Sequence, residues 1–303
     1  RAVGPGVWNG WKGQLLRTLY YETEPVLAGG HSQGQPKFRI DAARARLREE
    51  LPDWPQSEFD DYCERHYPAY WVRTDVDRQV AHANFLRDMV GKRRTLATRA
   101  STDAFRDITE ITVFAPDHPR LLSIIAGACA SSGANILDAQ IFTTSDGYAL
   151  DTIFVSRELP QDEDEQRRAE RIGQLIEQAL AGDVKMGELV VQRAVSKGRI
   201  RAFSVEPNVL VNNTWSNRYT VIEISGLDRP GLLFQLTDVL ARLNLNIASA
   251  HVATFGERAV DVFYVTDLTG QKITNANRQA AIRRRLLEVF QPKKEAAKEG
   301  VAA

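Results

Sequence analysis

Asp228-Arg229-Pro230-Gly231-Leu232-Leu233, followed by Asn246-Ile247, has an earlier counterpart in Asp117-His118-Pro119-Arg120-Leu121-Leu122 and Asn135-Ile136. Both motifs repeat at an offset of 111 residues (117 to 228, 135 to 246). Downstream, Asp151-Thr152-Ile153-Phe154-Val155 matches Asp261-Val262-Phe263-Tyr264-Val265 at an offset of 110. The lost residue falls where a hairpin turn is expected, at Ser145-Asp146-Gly147 in one copy and Phe255-Gly256-Glu257 in the other. Asp and Gly tolerate positive φ, so Asp-Gly between apolar runs marks such a turn. A length change confined to a turn tip is how a structural repeat varies.

Working outward, each copy spells the same order of elements. Ile111, Val113 and Ala115 alternate with polar or partly exposed neighbours, as in a half-buried strand. Leu122, Ile125 and Cys129 then line one helical face, as do Leu233, Leu236 and Leu240. Strands at about 135–144 and 148–156, and at 246–255 and 258–266, form hairpins, and second helices follow at about 162–181 and 275–290. A strand at Val205–Val211 can close the first copy. The fold class is thus α+β: two ferredoxin-like βαββαβ units preceded by an all-helical segment. In the second copy the polar Gln291-Pro292-Lys293-Lys294 follows Phe290, so its sheet has three strands of its own or borrows an edge from elsewhere.

Residues 1–107 read as helical: 11–27 ended by Gly29-Gly30, a charged helix at 41–51 stopped by Pro52 and Pro55, one from Ser57 to about His66 ended by Pro68, and one over 75–90. In the last, Val76, Val80, Ala83 and Met89 are the expected inward positions. Gly91-Lys92-Arg93-Arg94 reads as a polar break. The resulting division is 1–107 helical, 108–213 and 218–291 for the two repeats, and 292–303 as a polar tail.

Lys plus Arg and Asp plus Glu both total 39, so no global field draws the chain to nucleic acid or an anionic membrane. No apolar run approaches the roughly 18 residues of a membrane span. Cys63 and Cys129 fit no metal or disulfide spacing, and no signal peptide opens the chain, so the expected setting is cytoplasmic. The start at Arg1 leads us to expect a fragment of a longer protein.

The loop between first strand and first helix is the candidate ligand site in each copy. Pro presets the first helical turn, and Gly231 lets a ligand approach the backbone. The helix N-terminus offers unpaired N–H groups to a carboxylate, while Asn246 supplies both a donor and an acceptor. A free amino acid needs partners of both kinds. The better site is Asp228, Arg229, Pro230, Gly231, Leu232, Leu233, Asn246 and Ile247. The weaker is Asp117, His118, Pro119, Arg120, Leu121, Asn135 and Ile136, because Arg120 puts a long side chain where the second copy has glycine. The plainer alternative is that Pro-Gly makes a tight turn and Asn246 caps a strand.

These motifs resemble the signature of the ACT domain family, whose members bind amino acids, usually at interfaces between paired units, and control an attached enzyme. Val3-Gly4-Pro5-Gly6-Val7-Trp8-Asn9-Gly10-Trp11-Lys12 and Leu15-Leu16-Arg17-Thr18-Leu19-Tyr20 resemble the end of the HD domain of the bifunctional protein-PII uridylyltransferase/uridylyl-removing family. The tandem repeat, with Pro207-Asn208-Val209-Leu210-Val211-Asn212-Asn213, is similar to the C-terminal part of the same enzymes. The resemblance implies L-glutamine sensing, the PII signal-transduction protein as partner, and ACT–ACT pairing within or between chains. It also implies Mg2+ in catalytic domains absent from this chain. No His-Asp dyad occurs, since His31, His66, His82, His118 and His251 precede Ser, Tyr, Ala, Pro and Val. No Gly-Ser loop with paired Asp-x-Asp ligands occurs either, so neither a catalytic residue nor a cofactor is expected here.

Cys63, His66 and His82 are too few for a regular zinc site and read as packed or exposed helix residues. His251 reads as a sheet residue, and Arg283-Arg284-Arg285 and Lys92-Arg93-Arg94 as solvated surface lacking aromatic stacking partners. The competing function is an interaction module whose sheet edges dock a partner without binding a ligand.

Overall fold

A computed structural model describes residues 35–187, 189, 205–255 and 257–291. The helix read at 11–27, the Val3–Tyr20 resemblance and the polar tail from 292 onward lie outside the described residues.

Among the described residues four helices come first: α1 (Gln35–Glu50), α2 (Gln56–Arg65), α3 (Pro68–Arg73) and α4 (Val76–Gly91). Pro68 opens α3 as its first residue instead of merely ending α2, because the missing N–H costs nothing in a first helical turn. Pro55, not Ser57, stands at the N-cap of α2. Asp75 caps α4 by accepting from the Arg78 N–H at 2.9 Å. Of the expected inward positions on α4, Ala83 and Met89 are buried while Val76 and Val80 are half-buried. Arg78, Gln79, His82, Phe85 and Leu86 share the buried face.

The first sheet contains β1 (Ala97–Asp103), β2 (Ile108–Pro116), β3 (Ile136–Gln140) and β4 (Tyr148–Ser156), in the order β1-β2-β4-β3, with neighbours antiparallel. Helices α5 (Leu121–Ser132) and α6 (Asp162–Ala181) accompany it. The second sheet repeats the plan with β5 (Asn208–Asn212), β6 (Thr220–Leu227), β7 (Leu245–Phe255) and β8 (Arg258–Asp267), in the order β5-β6-β8-β7. Its helices are α7 (Leu232–Arg242) and α8 (Ala276–Glu288). No described helix is long and apolar enough to cross a membrane.

Two strand assignments are corrected. The strand read at 205–211 as the close of the first copy is β5, and it pairs with β6 of the second sheet, Val209 opposite Ile224. The first sheet is closed instead by β1, inside the stretch read as helical, which pairs with β2 from Ala97–Phe114 to Asp103–Ile108. Each unit therefore takes its fourth strand from upstream, and the second sheet is complete with four strands.

The two sheets differ in how they are covered. Ile111, Val113, Ala115, Ile153 and Val155 face a core that runs through both units beneath α5, α6 and α7. Phe114, Phe142 and Leu150 face the other way, into a cluster with Leu47, Trp54, Tyr62, Tyr70 and Trp71 of the helical segment. Thus β2 and β4 are buried on both faces, and the half-buried strand expected at 111–115 is nearly all interior. The alternating burial of β8 is that of a strand with one open face.

A polar chain fixes the helices to the sheet. The Tyr62 and Tyr70 hydroxyls lie 2.6 Å apart, Tyr70 Oη is 3.2 Å from His82 Nδ1, and His82 Nε2 is 3.0 Å from Thr152 Oγ1. His66 stacks on Tyr70 with 3.9 Å between ring centres, and burial pulls its pKa down to about 3. Cys63, His66 and His82 are therefore packed residues of an aromatic cluster. Among the described residues no three His, Cys, Asp or Glu side chains are placed to hold a metal ion.

Candidate functional site

The two units pack side by side, α5 against α7 and edge strand β3 beside edge strand β7. Close approach of the helices depends on Gly127, where a Cβ would lie 3.0 Å from Cδ2 of Phe234. Between the strands, His251 Nδ1 lies 3.6 Å from Asp138 Oδ1, with the His251 side chain 70% exposed. His251 is therefore a surface sheet residue at the junction.

The first-copy loop, residues 117–120, joins β2 to α5; the second, residues 228–231, joins β6 to α7. Neither helix receives a side-chain cap from the residue before it, Arg120 or Gly231. The first helical N–H of each, Leu121 and Leu232, donates to a loop carbonyl, and the next two lack the usual side-chain acceptor. The loops differ in backbone: Gly231 sits at φ 79°, in the left-handed region, whereas Arg120 sits at φ −96°. Glycine takes the first without steric cost and arginine does not. The inequality read from residue type is thus also one of conformation.

A small cleft opens between the units, lined by Asp117, His118, Pro119, Leu121, Leu122, Ile141 and Asp151 of the first copy and by Asn246 and Ile247 of the second. Asn246 and Ile247, grouped by sequence with the Asp228–Leu233 loop, thus face the loop of the other copy. Arg120 is exposed and outside this lining. Asn135 is exposed too, and its carbonyl accepts from the Ser156 N–H at 2.9 Å. Arg229 donates to Val289 O at 2.8 Å and to the side chain of Gln235, which ties the second loop to the end of α8. The cleft has room for about one water molecule, so a larger guest enters only if its walls part.

Sequence reading missed Asp151, which lines the cleft, and its second-copy counterpart Asp261. Asp151 and Asp261 sit in rows of apolar residues that face the helices, and they are 1% and 2% exposed. Asp151 Oδ1 accepts from the Phe142 N–H at 3.3 Å, and Thr143 Oγ1 donates to Asp117 Oδ2 at 3.0 Å. The second copy repeats this with Ala253, Thr254, Asp228 and Asp261. Burial, reinforced by the neighbouring Asp117, pushes the Asp151 carboxyl well above its ordinary range. Burial and Asp228 likewise raise Asp261 to about 8. Burial thus favours the neutral, protonated form of each in the folded chain. For Asp261 the stability linked to this proton is fully present below the ordinary carboxyl range and is lost as pH rises through about 8. The available signal was a carboxylate repeated on the core face of a strand, at 151 and 261.

This is the architecture of a tandem ACT protein: the profile of the ACT domain matches residues 109–177 and 220–280. Across 96% of its length the chain is similar to two curated proteins named bifunctional uridylyltransferase/uridylyl-removing enzyme. It is 61% identical to that of Nitrobacter hamburgensis over 290 residues and 60% identical to that of Rhodopseudomonas palustris over 292. The chain spans 31% of the length of each. Among solved structures, an aspartate kinase from Synechocystis overlaps 69% of this chain and 32% of its own, with 15% identity and a TM-score of 0.35.

Proposed function

We propose that this chain is the amino-acid-sensing region of a PII-protein uridylyltransferase/uridylyl-removing enzyme, with L-glutamine as its ligand. The observation that carries the reading is the cleft in which one copy's strand-to-helix loop meets the other copy's Asn246. The N–H groups of the second and third helical residues, Leu122 and Ser123 on the first copy, suit the ligand's carboxylate, and the Asn246 amide suits its polar groups. By the symmetry of the repeat, the Asp228–Leu233 loop takes Asn135 and Ile136 in the same way. Because the cleft is nearly closed, binding parts the units, and a coupling of about 1–3 kcal/mol is ample to bias an attached enzyme. The chain works in the cytoplasm, PII is the partner of the full enzyme, and Mg2+ belongs to catalytic domains outside this chain.

The competing docking-module reading drew on an unfilled edge in the second sheet. That position is filled by β5, which removes one of its two supports and leaves Arg120 on the first loop as the other. Isothermal titration separates the two readings. Saturable binding of L-glutamine is expected, with D-glutamine and L-glutamate weaker, and Asn246→Ala should lower affinity by about tenfold or more, the worth of a hydrogen bond to a charged group. A folded chain that takes up no L-glutamine at millimolar concentration would refute the sensing reading.

A further inference from the structure

Asp151 and Asp261 are unusual as packing residues. Each stands among apolar side chains of the core, Ala149, Ile153 and Val155 around the first and Phe263 and Val265 beside the second. Each keeps one oxygen, Asp151 Oδ2 and Asp261 Oδ1, without a hydrogen-bond partner among the described residues. Leaving a buried polar oxygen unpaired is costly, and here it is done twice in the same register, opposite Val113 and Ile224. A second carboxyl stands close to each, Asp117 and Asp228. Asp151 also lines the cleft.

Resting on the sensing reading, we propose that Asp151 with Asp117, and Asp261 with Asp228, are the subsites that take the ligand's protonated amino group. An ammonium carries three donors and a positive charge, and a carboxyl pair with an open oxygen offers acceptors of the opposite sign. The other titratable or charged groups at the two sites are His118, whose imidazole burial holds toward the neutral form, and Arg120 on the first loop, and Arg229 on the second. Arg229 is already engaged by Gln235 and Val289. Asn246 lines the same cleft from the other unit. Before binding, the buried carboxyl holds a proton. When the ammonium arrives, that proton leaves to solvent and a carboxylate–ammonium pair forms, so charge balances without any other reactant. A carboxylic acid lacking the amino group gains nothing from this pair.

The test is calorimetric titration of the chain with L-glutamine near pH 7 in phosphate and in Tris, whose protonation enthalpies differ. Glutaramic acid, which is glutamine without its amino group, serves as comparison. Wild type is expected to release protons, up to about one per site, and to prefer glutamine to glutaramic acid. Asp151→Asn combined with Asp261→Asn, close in shape to the protonated carboxyls, should abolish the release. It should also lower glutamine affinity by about 10–100-fold and erase the preference. Glutamine binding by wild type with no proton release, or with no preference over glutaramic acid, overturns the proposal even if the double variant does not fold. Unchanged affinity in a folded double variant does the same, and in each case the sensing reading stands. Absence of any glutamine binding by wild type overturns both.

Discussion

Replacing Arg78 by alanine is expected to destabilise the chain by about 3 kcal/mol, measured by urea denaturation. Its guanidinium is 7% exposed and grips Glu110 of β2 in a bidentate pair at 3.1 and 2.8 Å. It also reaches Asp75 at 2.6 Å and lies 4.8 Å over the ring of Phe154. This one side chain therefore joins the cap of α4 to the sheet beneath it. Removing one partner of a buried pair costs about 3–5 kcal/mol, because the remaining charge is left uncompensated. The lower end applies, since the Asp75 side chain is 38% exposed and can rehydrate. Arg78→Lys should recover only part of the loss, because an ammonium cannot reproduce the two-pronged contact. A loss under about 1 kcal/mol, the scale of a surface pair, would mean that Arg78 does not join the helices to the sheet.

Gly127→Leu is expected to separate the two ACT units and lower affinity for L-glutamine by at least about tenfold, the equivalent of about 1.4 kcal/mol. At Gly127 the first added carbon would already lie 3.0 Å from Phe234 and 3.2 Å from Met186. A leucine side chain has no space there, and overpacking typically costs about 1–3 kcal/mol. Gly127→Ala should be nearly neutral, since the gain of about 1 kcal/mol in helix propensity offsets the tight contact. Phe234→Ala should restore binding to the Gly127→Leu chain if the wedge acts through this contact, as a double-mutant cycle would register. Full affinity in Gly127→Leu would sever the link between α5–α7 packing and the cleft.

The repeat made most of the fold legible. Blocks repeated at offsets of 111 and 110 residues, with the pattern of the segments around them, predicted both hairpins and all four ACT helices, and Gly147 takes the expected turn conformation at φ 82°. Strand β1 was hidden because Ala97-Thr98-Arg99-Ala100-Ser101-Thr102-Asp103 has no large apolar residue, as suits a sheet edge. Strand β5 was legible as a strand but not as to partner, since pairing is decided in space. The burial of Phe114, Leu150 and Thr152 was equally out of reach, because it depends on the helical segment lying over that face. The site was half visible. Motif recurrence marked the loops and the asparagines, while the crossing of Asn246 to the other copy's loop required the arrangement of the units. Asp151 and Asp261 were read as repeat markers only, because sequence does not show which strand face turns inward.

Hydrogen–deuterium exchange with and without saturating L-glutamine tests the shared cleft most directly. The account predicts slowed exchange at residues 117–122 together with 246–247, and by symmetry at 228–233 together with 135–136. Slowing confined to a loop and the asparagine of its own copy, or no change in any of these segments, would contradict it.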